Sequence, residues 1–133
     1  MTAYRLAESA TVVGVSEDTI RRWADQGRVR TTTTPSGALA IDGPDLAALA
    51  AERAGVTPGA PASSATTSAR NRLAGIVTNV VRDTVMAQVE LVCGPYRVVS
   101  LMSREAADSL GLEPGVLAEA VVKATTVVVE RPS

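Results

Sequence analysis

Residues 66–77 read TTSARNRLAGIV, and the change of character inside that stretch divides the chain. Upstream of it, 54–67 reads AGVTPGAPASSATT, with no charge, no aromatic and one large apolar side chain, Val56. A segment of that composition cannot bury enough surface to offset the entropy of ordering it. It is expected to be a linker, spanning on the order of 20 Å as a coil. Downstream, apolar residues alternate with polar ones, the period of a half-buried strand. At the junction Ser68-Ala69-Arg70-Asn71 sets a hydroxyl, a cation and an amide at the start of a strand. Capping and solubility alone would account for them, so the rest of the chain has to show whether they have a chemical task.

The second part, 68–133, continues with VMAQVELVCG and YRVVSLM, two more alternating runs that turn at Gly94-Pro95. SREAADSLGL follows, with Ser103 as a helix N-cap, Glu105 in the first turn, and Leu110 and Leu112 returning to the core. Glu113-Pro114-Gly115 makes a turn, and VLAEAVVKATTVVVE reads as a closing strand or strand pair. Short strands with one small helix between them predict a small, partly open OB-like β-barrel.

The first part, 1–53, has a different period. Leu6, Ala7, Ala10 and Val13 form an apolar helical face that Gly14 ends. Ser16 caps a second helix, with Glu17 and Asp18 where the helix dipole favours acids. Ile20 and Trp23 supply its buried side, Arg21 and Arg22 project outward, and Gly27 stops it. RVRTTTTPSGALAI, 28–41, predicts a hairpin turning at Pro35-Ser36-Gly37, and Asp42 caps a last helix with Pro44 at its start. The whole is expected to be an α+β chain of two modules, a winged helix-turn-helix followed by the small barrel.

Composition bounds the chemistry. The 133 residues include no His, no Phe and a single cysteine, Cys93. That excludes His-based acid–base catalysis, a thiolate metal cage and the usual zinc ligand sets. No nucleophile–base motif and no GxxxxGK[ST] phosphate loop is present, so an enzyme is not expected. The pairs Glu17/Asp18 and Asp42/Asp45 sit at helix starts, where capping explains them. With a net charge of −1 there is no global pull toward nucleic acid or anionic membrane, and any anion contact has to be local. No apolar run reaches the roughly 20 residues of a membrane span. MTAYRLAES lacks the basic-then-apolar order of a signal peptide, and a cytoplasmic location is expected. Aliphatic cores without aromatics bury little area per residue, which favours assembly into oligomers.

Three motifs carry a resemblance. SARNRLAG, MSREAADSLGL and VVKATTVVV match, in order and spacing, the Mop-type (TOBE) domain of molybdate-binding proteins. The resemblance implies a site for molybdate or tungstate lined by Ser68, Ala69, Arg70, Lys123 and Ala124, with Ser103 and Thr125 as further donors and no metal bound other than as the oxyanion. The chemistry is consistent: these ions are tetrahedral dianions without a proton at neutral pH, so a pocket offering donors only selects them over protonated phosphate. Where the family has a second hydroxyl three residues after Ser103, this chain has Ala106. The family places such sites at subunit contacts, which implies a homo-oligomer, a hexamer in preference to a dimer for a chain with one copy of the domain.

AESATVVGVSEDTIRRWADQGRV resembles the MerR/excisionase type of DNA-binding domain, through Ala10, Gly14-Val15-Ser16, Thr19, Ile20, Arg21, Trp23 and Gly27. It implies a partner in double-stranded DNA, read by Thr19, Arg21 and Arg22, with Arg28 and Arg30 on the flanking backbone. Two departures stand out: the wing reads PSGALAI without a cation, and residues 1–53 hold six Arg against seven acids. Together the resemblances imply an oxyanion-responsive transcriptional regulator; the alternative is a molybdate storage or buffering protein of the molbindin kind.

Overall fold

The computed structural model describes residues 2–59 and 69–132. They fall into two compact units, Met1–Pro61 and Ala62–Ser133.

In the first unit a short strand β1 (Ala3–Arg5) leads into α1 (Leu6–Val13) and α2 (Glu17–Asp25). The strands β2 (Thr31–Thr33) and β3 (Leu39–Asp42) form a hairpin, and α3 (Gly43–Ala54) closes the unit. Local chemistry sets the helix ends. Gly14, at φ 78°, takes the left-handed position that ends α1 and donates its N–H to the Ala10 carbonyl. The Ser16 hydroxyl accepts from the Thr19 N–H at 3.1 Å, and the Asp42 carboxylate accepts from the Asp45 N–H at 3.4 Å. Leu6, Ala10, Ile20, Trp23, Val29, Ile41, Leu46 and Leu49 form the core. Ser9 is buried among them, and its hydroxyl donates to the Arg5 carbonyl at 2.9 Å, leaving no unsatisfied polar group there.

Two features differ from expectation. The strand β1 was not foreseen; it pairs with β3, so the three-stranded sheet runs β1-β3-β2. Three residues are too few to show a period. The last helix extends through Ala54 to a left-handed Gly55, so the uncharged stretch begins inside a helix. Of that stretch, residues 60–67 lie outside the described residues.

The second unit is a four-stranded antiparallel sheet, curled as a half-barrel, in the order β6-β5-β4-β7. Its strands are β4 (Asn71–Arg82), β5 (Met86–Cys93), β6 (Tyr96–Ser103) and β7 (Leu117–Val122), with α4 (Arg104–Ser109) between the last two. The long strand β4 serves both neighbours: residues 71–76 pair with β7 and residues 76–82 with β5. A bulge between Val77 and Asn79 separates the two halves, and such a bulge bends and twists a strand. Gly75 lies just before it, where a Cβ would overlap the Val92 carbonyl and the Cys93 sulfur. Val77, Val89, Leu91, Cys93 and Leu112 form the concave core, with Leu73, Val80, Val98 and Ala120 packed on it.

The end of the chain settles which of two expected forms occurs. A single closing strand, β7, forms rather than a strand pair; a 3₁₀ turn at Ala124–Thr126 follows, and 127–132 join no strand. A single side chain ties the connection between α4 and β7 to the sheet. Arg82, four-fifths buried, donates to Asp108 at 3.0 Å, to the Leu112 carbonyl at 2.8 Å and to Glu113 at 3.1 Å.

One carboxylate in each unit is depressed below its ordinary pKa. Asp83 accepts the N–H groups of Met86 and then Val85; Asp45 accepts the Arg30 side chain and then the Arg30 N–H. A depressed folded-state value means that the stabilisation is complete above the unfolded value and is lost as pH falls through the folded one. Thermal melting followed by circular dichroism is therefore predicted to give a Tm that declines below about pH 4. Asp83→Ala is predicted to lower the neutral-pH Tm by a few degrees and to flatten part of that decline. A Tm independent of pH in that range would contradict both assignments.

Candidate functional site

The register of β4 against β7 decides which residues of the second unit can act together. The last pair of that ladder is Asn71 with Val122, and the Asn71 amide Nδ2 donates to the Val122 carbonyl at 3.1 Å. One residue beyond the pair lie Arg70 on one segment and Lys123 on the other, with Ala69 and Ala124 next. Ends of the unit that are about fifty residues apart in sequence thus converge within one chain. Ser68 lies outside the described residues.

Arg70 and Lys123 are both exposed, and neither has an ion-pair partner among the described residues. The adjacent Arg72, by contrast, is paired with Glu119 at 2.6 Å. The uncompensated positive charge at this end of the sheet therefore belongs to Arg70 and Lys123. The segment after Lys123 adds backbone donors. Its carbonyl accepts the Thr126 N–H at 3.0 Å and the Thr126 hydroxyl at 2.8 Å, closing the 3₁₀ turn. The first N–H groups of such a turn, here Ala124 and Thr125, have no partner within it. Ala69 and Ala124 carry only a methyl group, so an ion can approach the backbone at either position. Two cations, small side chains and N–H donors form an arrangement that offers donors to a dianion and no carboxylate acceptor in the 69–71 or 123–125 segments.

Ser103 is placed elsewhere. It pairs with Met86 at the far edge of the sheet, near the Arg82 end of β4 rather than the Asn71 end. Its hydroxyl oxygen caps α4 by accepting the Ala106 N–H at 3.1 Å. The O–H hydrogen remains available to a ligand, but a single chain does not bring it together with Lys123. A cavity of about 430 Å³ opens on the concave face, lined chiefly by Val89, Leu91, Val98, Met102, Leu112 and Ala120. That apolar lining is unsuited to a dianion, and the cavity is not the place where the cations gather.

In the first unit the expected DNA-contacting residues separate into two groups. Arg21 and Arg22 are exposed on α2; Arg21 makes an open 3.5 Å contact with Glu17, and Arg22 has no partner among the described residues. The Thr19 hydroxyl sits 2.9 Å from the Ser16 hydroxyl, within the cap of α2. Arg28 and Arg30 point the other way. Arg28 lies over the Trp23 ring, 4.6 Å from its centroid, and bonds Glu52 at 2.6 Å. Arg30 engages Asp45 through side chain and backbone, at 3.0 and 2.7 Å, which raises its own pKa. Both tie the start of the hairpin to α3, an internal use not visible in the linear spacing. Arg5 was not singled out from the sequence; its guanidinium reaches the Ser36 hydroxyl at the hairpin tip at 3.3 Å. Among the described residues no helix is long and apolar enough to cross a membrane, and no group of three His, Cys, Asp or Glu side chains is disposed to hold a metal ion.

Comparison with known proteins gives this geometry a context. A TOBE domain model matches residues 67–129. Among solved structures, a molybdate-binding protein from Sporomusa ovata is 31% identical over 50% of this chain and 100% of its own, with a TM-score of 0.48. MopII from Clostridium pasteurianum is 34% identical over 50% of this chain and 100% of its own, with a TM-score of 0.46. The cytoplasmic molybdate-binding protein ModG, solved with molybdate bound, is 38% identical over 48% of this chain and 46% of its own, with a TM-score of 0.43. No curated protein matches the chain. The family match falls on the second half of the chain, and two of the relatives are covered along their full length. Through that half, the chain belongs to the TOBE domain family.

Proposed function

We propose that the second unit binds molybdate or tungstate, with Ser68, Ala69 and Arg70 on one side of the ion and Lys123, Ala124 and Thr125 on the other. The observation that carries this reading is the Asn71–Val122 pair, beyond which the two uncompensated cations follow on neighbouring segments. One similar protein, matched along its whole length, is described as molybdate-binding. Ser103 belongs, on this reading, to a site completed between copies of the chain, since its hydroxyl lies at the other end of β4 from Lys123. A homo-oligomer, a hexamer in preference to a dimer, supplies such contacts, inside the cell where these oxyanions are used.

The first unit reads DNA in this proposal, as a winged helix-turn-helix whose α2 enters the major groove. Its support is the cap geometry at Ser16 together with the outward Arg21 and Arg22. Oxyanion binding in the second unit then biases how many heads are presented together, and so the affinity for an operator. The chain on this account is an oxyanion-responsive regulator. The storage reading keeps the oxyanion site and gives the first unit another task.

Titration calorimetry on the full chain tests the shared premise. Molybdate and tungstate are predicted to bind, phosphate and sulfate to bind far more weakly, and Lys123→Ala to weaken molybdate by about ten-fold or more, since hydrogen bonds to a charged group are the strong ones. Equal heats for sulfate and molybdate would overturn the donor-only site. Gel shifts on the promoters of molybdate uptake genes, with and without molybdate, separate regulator from store: a shift that changes with molybdate is expected, and no specific shift in either condition leaves the storage reading.

A further inference from the structure

The cations of the first unit are not equivalent, and the difference points to a residue that the helix-turn-helix pattern does not contain. Arg28 is committed to Glu52 and Trp23, and Arg30 to Asp45 and Asp42. Arg53 faces the same Trp23 ring, 6.0 Å from its centroid. The hairpin from Thr31 to Ala40 carries no charged residue at all. That leaves Arg5, Arg21 and Arg22 as exposed cations without a close intramolecular counter-charge, apart from the open 3.5 Å contact of Arg21 with Glu17; Arg53, also exposed and without an ion pair among the described residues, lies at the end of α3 and does not line the cleft that Arg5 and Arg21 share.

Arg5 and Arg21 line one cleft, together with Leu6, Ala7, Glu17 and Leu39. From there the Arg5 guanidinium extends to the hairpin tip and meets the Ser36 hydroxyl at 3.3 Å. The tip itself is fixed. Ser36 lies 2.9 Å from the Thr34 hydroxyl, which accepts the Ala38 N–H at 3.1 Å, and Gly37 takes φ 87° to close the turn. Arg5 is exposed, so a bond to one neutral hydroxyl leaves four of its five N–H donors for an external acceptor.

We infer that Arg5 supplies the phosphate-binding cation that the hairpin lacks, so that the backbone of duplex DNA is gripped between Arg5 with the Ser36 and Thr34 hydroxyls on one side and Arg21 with Arg22 on the other. This rests on the DNA-binding reading of the first unit and names the residue on which its non-specific affinity depends. The chemistry follows from the geometry: a planar guanidinium beside two hydroxyls offers N–H and O–H donors to a phosphodiester. Glu17 is the one carboxylate lining the cleft, and its contact with Arg21 makes Arg5 the stronger attractor of the pair there. A phosphate contact is indifferent to sequence, so the probe needs no known operator.

The experiment is fluorescence anisotropy of a labelled duplex of about 25 base pairs, titrated with the full chain at several KCl concentrations, for the parent, Arg5→Gln and Arg5→Lys. Melting curves check that each variant folds. Arg5→Gln is expected to weaken binding about three- to ten-fold and to reduce the slope of log K against log salt by about 0.9, the release expected for one phosphate contact. Arg5→Lys, which keeps the charge, is expected to restore the slope. If Arg5→Gln matches the parent in affinity and slope, the Arg5 assignment is overturned while DNA binding stands. If both variants weaken binding with the slope unchanged, Arg5 acts by holding Ser36, and the assignment is again overturned. A parent chain that binds no duplex at low salt overturns the DNA reading and this inference with it.

Discussion

The second unit depends on one strand serving two partners. β4 gives its first half to β7 and its second half to β5, with the bulge after Val77 as the hinge between the halves. Strand register is all or none, because a slip of one residue turns every side chain to the opposite face. Val77 and Val80 must face the concave core against Val89 and Leu91, and this fixes the β4–β5 register. Leu73 must face Ala118 and Ala120, and this fixes β4 against β7. The meeting of Arg70 with Lys123 is then a consequence of packing. Apolar contacts elsewhere in the sheet thus bring two cations without ion-pair partners among the described residues onto neighbouring segments.

In the first unit the short strand β3 is likewise shared, between β1 and β2, and helix caps and surface ion pairs add to an apolar core. Arg28 and Arg30 bridge the start of the hairpin to Glu52 and Asp45 of α3, closing the unit around Trp23. Charges paired in this way are partly offset by the neighbouring carboxylates. In a module with more acids than cations, what matters for an anionic partner is which cations are left without a paired carboxylate, and Arg22 on α2 and Arg5 are among those.

Much of this was legible in the sequence where a single residue type has a local reason to be there. Ser16, Asp42 and Ser103 were read as caps and act as caps, Gly14 ends α1, and Gly94-Pro95 makes the two-residue turn between β5 and β6. Elements set by distant partners were not legible. β1 exists because β3 offers it an edge, and the VVV run after Thr126 reads as strand although it pairs with no strand among the described residues. The candidate site divides in the same way. The SARNRLAG and VVKATTVVV segments were visible as motifs, but the pairing that brings their ends together and the separation of Ser103 from Lys123 follow only from strand order. The inward roles of Arg28 and Arg30 likewise needed the positions of Glu52 and Asp45, and Arg5 carried no signal beyond being a cation near the start of the chain.

The central claim is that the convergence of residues 69–70 with 123–125 is a binding site for a tetrahedral dianion. Native mass spectrometry of the full chain, recorded with molybdate and separately with sulfate, tests it most directly because it counts ions and chain copies in the same spectrum. The account predicts molybdate retained in a fixed ratio to the number of chains, with sulfate lost under the same conditions. A chain that emerges free of molybdate, or that retains sulfate in equal number, would contradict it.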